Sequence, residues 1–174
     1  MGAMHVIITG KVGIGKTTVC EKVVAIAKGL GHSCGGFLTP KSKQGIVIID
    51  VQTGESKPLA SFTDIYKGPH IGRYFFNPEG ISFGIKAIDA GISSDILCVD
   101  EIGYLELKGE GFAKVLKVVR TGRVKNSILV IRKELLPEFL PRLEPKASII
   151  ETTTHNRNEL PQKICTLLNL GKTG

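Results

Sequence analysis

An apolar pentad, "HVIIT" (5–9), runs directly into "GKVGIGKTT" (10–18), and a helical pattern then extends from Lys16 to Leu30. No other stretch limits the fold as strongly. Glycines at 10, 13 and 15 strip the turn of side chains, so its backbone curls where a Cβ would resist. Strand, bare turn and helix together open a wound α/β domain, in which the chain crosses back to add a parallel strand.

The turn also has a chemical reading. Gly10-Lys11-Val12-Gly13-Ile14-Gly15-Lys16-Thr17 fits the spacing G-x-x-x-x-G-K-[ST], in the strand-to-helix context that the match requires. Successive N–H groups of such a loop point inward, and the helix that follows adds its positive end, which makes a cradle for phosphate. Lys16 is expected to reach the β- and γ-phosphates and the Thr17 hydroxyl to ligate Mg²⁺, with Thr18 beside the α-phosphate. A tight structural turn would account for Gly10 and Gly13, but not for a lysine and two threonines in these places.

Beyond the loop, apolar runs alternate with helical patterns. "GHSCGG" closes the first helix, "GFLTPK" and "GIVIIDV" form a hairpin through "SKQG", and "TGESKPLASF" reads as a turn and a short strand. From Asp64 to Gly91 the pattern is mixed: "GRYFF" suits a strand and "GISFGIKAIDAG" a helix broken by glycine. "DILCVDEIG", "SILVI" and "ASIIET" read as strands, with a basic helix after the first and a short helix near "KELLPEFL". A closing helix spans 156–168, its start capped by the preceding threonines. Runs as apolar as "ILCV" suit a parallel sheet covered on both faces, and the early hairpin adds antiparallel strands at one edge. The expectation is one three-layer α/β domain over 1–174, a length that buries a full core.

"ILCVDEIG" supplies a second chemical element, because Asp100 and Glu101 stand at the carboxyl end of a buried strand, where open α/β sheets bind ligands. Asp100 is expected to hold a water in the second coordination sphere of Mg²⁺, and Glu101 to orient or deprotonate a water attacking the γ-phosphate. A kinase must keep water from that phosphate, so this Glu argues against one. The chain has no N-K-x-D guanine reader, which leaves base selectivity loose.

In this order and at these distances, "GKVGIGKTT", "GGFLTP", "VDEIGYLEL" and "TTTHNRNELP" resemble the small P-loop nucleoside-triphosphatases of the cancer-related nucleoside-triphosphatase type, over nearly the whole chain. The resemblance implies a RecA-like P-loop NTPase core of the additional-strand catalytic-glutamate type. It implies Mg²⁺-dependent hydrolysis of ATP, GTP and other NTPs to the diphosphate and phosphate. Gly103 of "DEIG" joins the nucleotide-binding set, and Arg157 of the "NR" pair becomes the candidate arginine for nucleotide contact and catalysis. Two departures stand out: Tyr104, Leu105 and Glu106 follow "DEIG" where relatives often show Lys or Pro and then Met-Glu, and Arg132 stands where many have a basic pair. Arg132 and Arg73 are weaker candidates for the same catalytic charge.

Composition excludes several other classes. Cys20, Cys34, Cys98 and Cys165 form no CxxC pair and read as buried free thiols, which fits a reducing cytoplasm. The histidines at 5, 32, 70 and 155 lack metal-ligand spacing, no apolar run is long enough to span a membrane, and "HVIIT", short and running straight into the glycine turn, is not expected to act as a secretory leader. The net charge of +7 invites nucleic acid. Yet Phe112, Val115, Leu116 and Val119 make one buried helical stripe, leaving Lys114, Lys117 and Arg120 on a solvated face without interleaved aromatics. The partners expected are nucleoside triphosphates acting on a monomer. A nucleotide or nucleoside kinase with its acceptor on 64–91, a nucleic-acid-stimulated ATPase and a nucleotide-dependent switch are the rivals. Replacing Lys16 with alanine should abolish nucleotide binding or nearly so, measured by titration with a fluorescent ATP analogue; retained affinity would remove the phosphate reading of the loop.

Overall fold

The computed structural model describes residues 2–143 and 147–171. In chain order the elements are β1 (Met4–Gly10), α1 (Lys16–Gly29), β2 (Cys34–Leu38), β3 (Gly45–Asp50), β4 (Ser56–Ser61), β5 (His70–Ile71), β6 (Tyr74–Phe76) and α2 (Pro78–Gly91). Then come β7 (Ile96–Ile102), α3 (Tyr104–Leu107), α4 (Lys114–Arg120), β8 (Asn126–Ile131), α5 (Leu136–Phe139), β9 (Ala147–Thr152) and α6 (Leu160–Leu167). One nine-stranded sheet runs β5-β6-β4-β3-β2-β7-β8-β1-β9. From β2 to β9 every neighbouring pair is parallel, and from β2 outward through β3, β4, β6 and β5 every pair is antiparallel.

The strands bury both faces, as their continuous apolar runs require. Val6, Ile8, Cys98 and Ile128 pack under α1 and α6, whereas Ile7, Val99, Leu129 and Ile131 pack under the layer made by α2 to α5. Side chains alternate faces along each strand, so one strand feeds two separate cores. The result is the expected three-layer α/β fold. β8 lies between the strand that carries the glycine loop and the strand that carries Asp100 and Glu101, the extra strand that the resemblance implied. Among the described residues, no helix is long and apolar enough to cross a membrane.

Two expectations need correction. The segment read as a glycine-broken helix is one continuous helix, α2, started by an Asn77 side chain that accepts from Glu79 N–H, with proline in its first turn. Its glycines mark close contacts, not breaks. A Cβ on Gly80 would lie 2.4 Å from the Pro58 carbonyl oxygen, one on Gly84 would lie 2.4 Å from the Phe112 ring, and Gly91 abuts Gly35 and Gly36 of β2. The closing helix begins at Leu160 rather than Asn156. Thr153 and Asn156 exchange hydrogen bonds, Oδ1 of Asn156 accepting from Thr153 N–H at 2.8 Å and Thr153 Oγ1 from Asn156 N–H at 3.2 Å. That local ring holds 153–156 as a turn.

Inside a helix, alanine for glycine normally adds up to about 1 kcal/mol of stability. Gly80→Ala should instead lower the melting temperature, because its Cβ would meet backbone, while Gly29→Ala, in the last turn of α1 with open space around it, should leave it unchanged or higher. Thermal unfolding of both variants is the measurement.

Candidate active site

The loop between β1 and α1 folds as its glycines allow, with φ of +145° at Gly10, +77° at Gly13 and +110° at Gly15. Lys16 lies back along it, Nζ donating to the Gly10 and Lys11 carbonyl oxygens at 2.7 and 2.8 Å. Burial pulls its pKa below the usual lysine value, against the opposing pull of the Glu101 and Asp100 carboxylates. Those acids therefore face the loop. Thr17, the first residue after Lys16, faces the Asp100 carboxyl closely enough to pull its pKa down against the effect of burial.

Asp100 is almost fully buried, at 2% exposure. Thr39, at the end of β2, secures it from the other side: the Thr39 N–H donates to Oδ2 at 3.0 Å, and the Thr39 hydroxyl donates to the Asp100 carbonyl. Pairing between β7 and β8 slips one residue between Val99 and Ile102, a bulge at the two acids. On a regular strand neighbouring side chains point to opposite faces; the bulge relaxes that rule where the acids must work together. Burial pushes the Glu101 carboxyl up, while the charges of Arg132, Lys16 and Lys41 pull it down.

Arg132 sits one residue beyond β8, with Nε 3.9 Å from Glu101 Oε1 and Nη1 3.6 Å from Glu134 Oε1. Its guanidinium lies over the Tyr104 ring, 5.6 Å from the centroid. The inserted strand thus delivers this cation to the acids, and of the three arginine candidates it is the one beside Glu101. Arg157 stands on the outer flank of the loop, where Nη1 donates to the Ile14 carbonyl at 3.3 Å. Arg73 is engaged with the Phe62 and Tyr74 rings, 4.9 and 5.4 Å from their centroids. Lys11, Val12 and Thr18 are exposed along the loop, Val12 to 67%, and Ile14 is half-buried, while Gly103 is buried at the exit of β7.

Sequence reasoning missed Lys41, whose charge acts on both Glu101 and Lys16. Its position just past the carboxyl end of β2 was the available signal, since ligands gather at that edge. The four cysteines are free and buried, as expected.

A family model described as NTPase matches residues 5–165. The chain belongs to that family. Among curated proteins it is similar to the nucleoside-triphosphatase THEP1 of Methanosarcina barkeri, 30% identical over 168 residues that cover 92% of this chain and 95% of the relative. The protein of the same name from Hyperthermus butylicus is 31% identical, covering 92% and 88%. That from Methanothermobacter thermautotrophicus is 34% identical over a shorter 139 residues, 76% and 79%. No solved structure matches the chain.

Burial lifts the Asp100 carboxyl to about 7, from roughly 3.9 in an unfolded chain. Between those values the folded state keeps a proton that the unfolded state has lost. Stability therefore falls as pH rises through the window and stays lowered above it. Asp100→Asn removes the cost. Measured without metal or nucleotide, its melting temperature should exceed that of the wild type at about pH 8 and match it near about pH 4; equal values at both would contradict this account.

Proposed function

We propose that the chain, acting as one domain over 1–174, hydrolyses nucleoside 5′-triphosphates to the diphosphate and phosphate with Mg²⁺. One observation carries the reading: Asp100, held by the Thr39 N–H, and Glu101 stand close enough to the glycine loop for Lys16 to feel both carboxylates and for Thr17 to act on Asp100. The relatives' name, nucleoside-triphosphatase, supports the same activity.

The donor set fits Mg²⁺, which prefers hard oxygen ligands and keeps several waters. Thr17 would hold it directly and Asp100 through a water. Bound there, the ion adds positive charge at the β- and γ-phosphate oxygens. The other steps belong to the chain. Loop N–H groups and the positive end of α1 receive the phosphates, and Lys16 Nζ exchanges its two carbonyl partners for phosphate oxygens. Glu101 accepts the proton of a water attacking in line. Arg132, half-buried beside Glu101, supplies the added cation in cis, with Lys41 a second source. Arg157 then serves nucleotide contact at the loop's outer flank rather than the γ-phosphate.

Glu101 opens on a cleft that it shares with Tyr74, Phe76, Tyr104, Phe112 and Arg132, where a carboxylate can take a proton from water. The nucleic-acid alternative loses ground because two of the basic residues are paired, Lys114 with Asp89 and Lys125 with Asp95. Four buried free thiols suit the reducing cytoplasm.

Phosphate release from each of the four common NTPs, with and without Mg²⁺, tests the reading. Glu101→Gln should keep nucleotide affinity while hydrolysis falls by ~10² or more. Unimpaired turnover in that variant, or a rate that depended on an added acceptor, would sink it.

A further inference from the structure

Glu106 lies on α3, away from the phosphate loop, yet it is only 3% exposed. A carboxylate so buried is costly unless its oxygens are bonded. Both are. Oε1 accepts the Gly103 N–H at 2.6 Å and Oε2 accepts the Phe112 N–H at 3.0 Å. The two amides belong to different places in the chain, Gly103 to the exit of β7 and Phe112 to the approach to α4, so one side chain ties them together. The loop between closes tightly on it. Gly111 has φ of +59°, and a Cβ there would fall 2.1 Å from Glu106 Oε2.

The tie ends next to the proposed base. A Cβ on Gly103 would stand 3.2 Å from Glu101 Oε1 and 3.5 Å from Arg132 Nε, so the Gly103 backbone is the floor on which both side chains rest. Glu101, Glu106 and Arg132 line the same cleft. The two carboxyls also feel each other: burial lifts Glu106 to about 7, and the charge of Glu101 adds to that rise. The bulge at the acids, meanwhile, removes one ladder pairing that would otherwise hold Glu101 in place.

We infer that Glu106 is a positioning residue for hydrolysis, which by gripping the Gly103 amide fixes the backbone turn from which the Glu101 carboxylate reaches its water. This rests on the reading of Glu101 as the proton acceptor. A displacement of about 1 Å in such a group costs up to ~10² in rate, and the bond to the Gly103 amide lies only two residues along the chain from it.

The test is a double-mutant cycle on the full chain, read by phosphate release from ATP and by thermal unfolding. Glu106→Gln keeps the side-chain volume but turns an amino group toward one of the two N–H donors. It should lower kcat by ~10-fold or more and leave KM for ATP within about threefold. Made in the Glu101→Gln background, the same change should alter kcat by less than about twofold, because the group it positions is already disabled. If Glu106→Gln does not fold, Gly111→Ala goes through the same cycle, since its Cβ crowds the carboxyl without removing it. An equal loss in both backgrounds, or a raised KM with kcat intact, would overturn the inference and leave Glu106 a fold-holding residue. Undiminished hydrolysis in Glu101→Gln alone would remove the hydrolase reading and this one together, whereas loss there with additive Glu106 effects removes only this one.

Discussion

Thr17 and Lys16 of the glycine loop act electrostatically on Asp100 and Glu101 although the strands behind them are not neighbours. β8 lies between β1 and β7, which separates the two by about 10 Å at the usual strand spacing. The loop and the acids therefore face each other across the end of β8, and Arg132, one residue beyond that strand, stands beside Glu101 there.

Cations outnumber the two acids in the site before any ligand arrives. Two carboxyls sit among Lys16, Arg132 and Lys41, and burial disfavours the ionised form of both acids and of Lys16. At 3.9 Å the Arg132–Glu101 contact is long for an ion pair, with both side chains near a third exposed. A pair of that kind contributes roughly 1 kcal/mol or less. Its partners are therefore cheap to separate, and a triphosphate can draw Arg132 away from Glu101 without a large penalty. Asp100 differs: buried and bonded by Thr39, it stays where β7 puts it.

Local features were the legible ones. The glycine loop, Lys16, Thr17 and the acids at the end of "ILCV" are each defined by neighbours in sequence, and the strand-turn-helix geometry brings them to one edge of the sheet. The edge hairpin and the buried stripe of Phe112, Val115, Leu116 and Val119 followed from periodicity and are all observed. What stayed hidden depends on residues far apart along the chain. Arg132 gains its place only because β8 is inserted beside β7, Lys41 only because β2 pairs with β7, and Glu106 only because Gly111 lets its loop close. The α2 glycines misled for a related reason: propensity counts them as weak points, but the backbone of β2 and β4 pressing against the helix makes them the residues that fit.

The parallel and antiparallel parts of the sheet are joined through the β2–β3 pairing, whose register comprises two residue pairs, Phe37 with Asp50 and Leu38 with Ile49. Phosphate-facing groups lie on one side of this narrow seam, and on the other lie the aromatic walls, Tyr74 and Phe76, that face Glu101 across the cleft. Helix α2 packs on β2, β3 and β4 alike, and a single apolar core runs beneath the seam. The spacing between the aromatic wall and Glu101 is thus set by the helical layer, so a change in the α2 glycines would be felt at the cleft although none of them lines it.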